Sequence, residues 1–100
     1  MYLTPTEEER LRVFQAAELA RRTLARGLLL NVPEATALAC DEMHMAARTG
    51  ASLEEVLEAG RAAVPRDRLL EGVADIVDEI RLEVLMNDGT RLVVLRRPWS

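Results

Sequence analysis

Near residue 80 the apolar residues stop recurring every third or fourth position and begin to alternate, and the change happens once. Before it, the spacing is that of amphipathic helices; after it, Ile80, Leu82, Val84 and Met86 alternate with Arg81, Glu83 and Leu85, as a half-buried strand requires. Asn87-Asp88-Gly89 supplies turn chemistry, and Thr90 to Arg96 reads as a returning strand. A chain that runs helices first and a single hairpin last is of the α+β class. It has no later strand with which to extend the sheet. A two-stranded ribbon is marginal in water, so this one must lie on the helices, pair with another chain, or both. Its open edges suit strand addition from a partner.

Three main helices are expected before the hairpin. Thr4 with Glu7 has capping-box spacing and Pro5 fits the first helical position. Val13, Ala17, Ala20 and Leu24 define a core stripe on the first helix, which Gly27 ends. Leu11 and Leu19 lie off that stripe, so this helix has two apolar faces and calls for two neighbours. The second helix opens near Asn31-Val32-Pro33-Glu34. Pro33 disfavours a helical Val32, which leaves the cap position open. Its buried stripe is Ala35, Leu38, Ala39, Met43 and Ala46, and Thr49-Gly50 ends it. Glu42 projects into that stripe and needs a partner, an end position or a docking protein to tolerate burial. Ser52 and Glu55 box the third helix, whose inward residues are Leu53, Val56, Leu57, Ala63 and Val64 before Pro65 stops it. Residues 66–79 are less regular and read as a short helix or turns.

One hundred residues make one domain, spanning 1–100. Nearly half the chain is hydrophobic, yet Tyr2, Phe14 and Trp99 are its only aromatics. Such a core relies on small side chains packing closely. Trp99, next to last, would be idle unless something covers it. The net charge of −4 is concentrated in residues 31–60, where six acids face Arg48 alone. That distribution argues against a nucleic-acid surface or an anionic membrane, both of which need clustered positive charge. A single cysteine, Cys40, excludes an internal disulfide. Met1-Tyr2-Leu3-Thr4-Pro5 runs into acids unlike a signal peptide, and no apolar run approaches a membrane span. The chain reads as cytoplasmic.

Little in the sequence carries chemistry. Cys40 and His44 stand one helical turn apart with Asp41 between them, two metal-type ligands at most where a site needs three or four. A Cys–His pair on one helix has no orienting group or oxyanion donor beside it. The five glycines are isolated, so no phosphate loop forms. Ala47 to Ala51 has the length of a helix-turn-helix connection, but the following helix opens with Ser52, Leu53, Glu54 and Glu55, which would repel phosphates. No lysine occurs anywhere, which removes lysine chemistry altogether.

A family pattern runs along the whole chain. Its pieces are Leu3-Thr4-Pro5, Ala17-Glu18-Leu19-Ala20-Arg21-Arg22, Ala25-Arg26-Gly27-Leu28, Leu30-Asn31 and Pro33-Glu34-Ala35. They continue through Ala47-Arg48, Gly50, Gly60-Arg61, Arg66-Asp67, Glu71-Gly72-Val73, Asp88-Gly89-Thr90 and Leu92-Val93. In this ordered set the chain resembles the urease gamma subunit. The resemblance implies a non-catalytic structural subunit of a nickel urease, assembled with beta and alpha subunits as a three-fold ring of heterotrimers. It also implies that nickel and the hydrolysis of urea to ammonia and carbamate belong to the alpha subunit, with no cofactor on this chain. The alternative is a gamma-fold interaction module acting outside urease, without catalysis. Differences from the usual family pattern fall at Val32, Glu42, His44, Met45 and the tail Arg96–Ser100. Leu11, Leu19, Met86 and Trp99 are the candidates for partner-facing apolar surface.

Overall fold

The computed structural model describes residues 1–100. Helix α1 spans Pro5–Ala25, α2 Val32–Arg48 and α3 Leu53–Ala62. A 3-10 turn at Arg66–Arg68 and the short α4 at Val73–Ile76 lead into β1, Glu79–Met86, and β2, Gly89–Arg96. This is the α+β arrangement expected from the single change of period. No helix is long and apolar enough to cross a membrane.

Each main helix begins where its capping box allows. Thr4, Asn31 and Ser52 accept from the backbone N–H three residues on, and Glu7, Glu34 and Glu55 reach back to the cap backbone N–H. The open question at the second helix resolves in favour of Asn31. Val32 and Pro33 take the first two helical positions, where a proline forfeits no intrahelical bond. Gly27 and Gly50 follow the ends of α1 and α2 with φ of +76° and +83°, a conformation that side chains resist.

The centre of the fold is α2, which packs against α1, α3 and β1, while α3 also covers β2. Its buried residues include Ala35, Leu38, Ala39 and Met43 from the predicted stripe, together with Cys40, Asp41 and Ala47. The hairpin is antiparallel with a two-residue loop, Asn87-Asp88, which sets Met86 opposite Gly89 and Ile80 opposite Leu95. One face of it carries Ile80, Val84, Met86, Val93 and Leu95 into the core. The irregular segment is stitched to the start of α2 by a short parallel bridge between Leu30 and Leu69. Leu30 N donates to Arg68 O and Leu70 N donates to Leu30 O, at 2.8 and 2.9 Å.

At Gly60 the layers come closest. A methyl group built there would stand 2.8 Å from Met43 Sδ and 2.9 Å from Leu95 Cδ2, so α3 can reach both α2 and β2 only through a residue without a side chain.

Candidate functional site

The four candidate surface residues divide into two pairs. Leu11 and Leu19 stand on the outer side of α1 with 47% and 59% of their surface exposed. Phe14, one turn from Leu11, is exposed with them and was not among the candidates. Its position three residues from Leu11 was the available signal.

Met86 and Trp99 are corrected by the structure as surface groups: they retain 8% and 4% exposure within the chain itself. Met86 is buried because strand alternation aligns it with Ile80 and Val84, on the face turned to the helices. Trp99 is buried because the chain turns back at Arg97, whose φ is +43°. Arg97 N donates to Asp78 O at 2.7 Å, one step beyond the end of the ladder, and Pro98 and Trp99 then tuck inward. The indole Nε1 finds no protein acceptor there. The apolar groups that remain outside on the hairpin are Leu85 and Leu92.

The densest polar constellation joins α1 to α2. Asp41 is the one buried charged residue of the chain. One of its carboxylate oxygens accepts from Arg10 Nη1 at 2.8 Å and the other from Arg21 Nη2 at 2.5 Å. Arg21 also donates to Glu18 at 2.6 Å and to Glu42 at 2.9 Å. Burial alone would raise the Asp41 carboxyl, but the hydrogen bonds from Arg21 and Arg10 outweigh it and hold it below its ordinary 3.8. Arg21 is raised in turn, because its bonds to three carboxylates more than offset its own desolvation. Glu42, the carboxylate that needed a partner, has found one.

The same neighbourhood holds Cys40 and His44. Burial, with the Asp41 charge beside it, pushes the Cys40 thiol up to about 11. Burial and the Arg10 charge both push the His44 imidazole below its ordinary 6.5. With its thiolate disfavoured in this way, Cys40 is a poor nucleophile. Asp41 has both oxygens committed to arginine. No three of the His, Cys, Asp and Glu side chains gather in a way that could hold a metal ion. The donor set does not fit a nickel site. An open cleft of about 440 Å³ runs beside Cys40, between α2 and residues 76–81. The carboxylate of Glu79 in it is already bonded to Arg81 at 3.0 Å.

Residues 1–99 match the family described as urease, gamma subunit. The chain belongs to the urease gamma subunit family. It is 55% identical over 98 residues to a protein of Streptomyces avermitilis named urease subunit gamma/beta, and 53% identical to its counterpart in Streptomyces coelicolor. Each alignment covers 98% of this chain but 43% of the relative, so the chain spans less than half of those proteins. A urease subunit gamma of Methylocella silvestris is 45% identical, with 98% of both chains aligned. Of the positions that the sequence reading singled out as departures from the family pattern, Glu42 belongs to the ion cluster, His44 borders it, and Val32 is half-buried in the first turn of α2. Four of those positions, Val32, Glu42, His44 and Met45, thus fall on the helix at the centre of the fold.

Proposed function

We propose that this chain is a structural subunit of a nickel-dependent urease, contributing fold and contact surface to an assembly with beta and alpha subunits in a three-fold hetero-oligomer. The hydrolysis of urea to ammonia and carbamate, and the nickel that serves it, belong to the alpha subunit in this reading. The observation that carries the proposal is the family match across residues 1–99. The chemistry of the chain agrees with a supporting role: burial disfavours its thiolate, its buried carboxylate is bound to arginine, and its single histidine stands in no ligand cluster. The lone buried cysteine suits a reducing compartment, and we place the assembly in the cytoplasm.

Within that assembly we assign the outer side of α1, with Leu11 and Leu19, to a partner. Two large apolar side chains on the outer side of one helix, with Phe14 beside Leu11, gain from being covered. Met86 and Trp99 are already covered and are no longer assigned to it.

Affinity purification of the tagged chain from its native host tests the whole reading. Larger subunits, nickel and urea hydrolysis should be recovered together. Recovery with unrelated proteins and no nickel would assign the gamma fold to a different assembly. Replacing Leu11 and Leu19 together by aspartate should remove the larger subunits from the purified material while leaving the thermal midpoint of the free chain within a few degrees. Undiminished co-purification would remove that face from the interface.

A further inference from the structure

We propose that α1 is a strap, fixed at its C-terminal end and held closed on α2 by the Asp41 cluster, so that loss of this latch lets residues 5–22 come away and unfold as a unit while the remainder stays folded. The proposal concerns the free chain and stands whether or not that chain joins a urease.

Three observations carry it. The first is the poverty of the α1 interface. Of 21 residues in α1, only Ala17 and Ala20 are fully buried, and α2 is the one element against which the helix packs extensively. Val13 and Leu24 add half-buried contacts. Most of the stability of a protein helix comes from packing of one face rather than from propensity, so the order of α1 depends on what fastens it.

The second is where the fastenings lie. Along residues 5–22 the side-chain bonds to the rest of the domain are those of Arg10 and Arg21, and all of them end on the adjacent residues Asp41 and Glu42. The C-terminal end is tied differently and to a different place. Arg68 donates to Leu24 O at 2.9 Å and to Leu28 O at 3.2 Å, and Thr23 Oγ1 donates to Glu34 at 3.0 Å. Leu30 is bridged to the 66–70 segment on both sides. One end is anchored and the other is latched.

The third is that latch and anchor do not overlap: the latch ends at Arg21 and the anchor begins at Thr23, so the opening boundary falls at residue 22, inside the last turns of α1. Opening would return Arg10 and Arg21 to water, which costs little for side chains already about 30% exposed, but would leave Asp41 to be hydrated from a 3% exposed position. The closed state therefore depends on the carboxylate more than on either arginine.

Hydrogen exchange on the full-length chain at constant pH and temperature tests this. Amides of residues 9–22 should be roughly tenfold less protected than those of residues 80–95, as expected of a separately opening unit. Asp41→Asn, which keeps size and removes charge, should accelerate exchange over 9–22 by roughly another tenfold and leave 80–95 within about twofold. Arg10→Gln, at a partly exposed site, should give the same regional pattern with smaller amplitude, and decides the matter if Asp41→Asn does not fold. Acceleration of equal size in both regions, or none over 9–22, would overturn the strap.

Discussion

α1 and the β1–β2 hairpin both lean on α2, yet they are held there by different forces. The hairpin sets Ile80, Val84, Met86, Val93 and Leu95 fully into the core, whereas the longer α1 fully buries two alanines. At about 1.5–3 kcal/mol for each large buried side chain and about 0.8 for a methyl-sized one, burial favours the hairpin by several-fold. α1 compensates with charge: one buried carboxylate, two arginines and two outlying glutamates. Apolar burial is insensitive to pH and ties the hairpin to the whole domain through α2 and α3. The ion cluster is local and depends on protonation. An element with no regular secondary structure to its credit in isolation can thus be central to stability, while the longest helix is peripheral.

The comparison predicts unequal mutants. Leu95→Ala should cost the free chain about 3 kcal/mol, because a fully buried leucine leaves a cavity among Met43, Gly60 and the other strand. Leu19→Ala on α1 should change stability by no more than about 0.5 kcal/mol. Urea titration followed by Trp99 fluorescence reads both, and similar midpoints would break the comparison. Gly60→Ala comes next. The added methyl gains about 1 kcal/mol of helix propensity but must displace Met43 Sδ and Leu95 Cδ2 at a cost of about 2, so a net loss of about 1 kcal/mol is expected. Combined with Leu95→Ala, the methyl enters freed space, and the pair should lose less than the two singles added. Strict additivity in the same titration would show that the close approach at Gly60 does not constrain the core.

Local signals were legible in the sequence and long-range ones were not. The boxes Thr4–Glu7 and Ser52–Glu55, the two strands of the hairpin and their turn all depend on residues within a few positions of one another, and all appear where they were expected. Glu42 was recognised as a carboxylate needing a partner. Asp41, its neighbour, is far more deeply buried, and its role as an arginine-bound anchor was missed, because Arg10 and Arg21 lie 31 and 20 residues away. Trp99 went wrong for the same reason. Its burial follows from a turn at Arg97 and a bond to Asp78, neither of which a terminal Arg-Arg-Pro-Trp announces. The Leu11–Leu19 side of α1 was readable because helical periodicity alone sorts inner from outer positions.

Acid separates the two regions with the smallest perturbation. His44 has its folded value depressed below 6.5, chiefly by burial and then by Arg10, so the unfolded chain binds its proton first. Its contribution to stability is complete above pH 6.5 and is lost as the pH falls through the depressed value. Asp41 is likewise depressed, below 3.8, so the latch is intact above that pH and is lost as acid drives its proton on in the folded state. Both groups sit on the α1-facing part of the cluster, whereas the one shifted acid of the hairpin, Glu79 at the start of β1, is lowered by a surface bond to Arg81 and no fully buried residue there titrates. A slow acid titration should therefore lower protection in residues 9–22 slightly below pH 6.5 and more steeply below 3.8, before residues 80–95 respond. His44→Gln should remove the first step and keep the second. If both regions lose protection together from the outset, the charge cluster is holding the entire domain and the contrast between strap and hairpin fails.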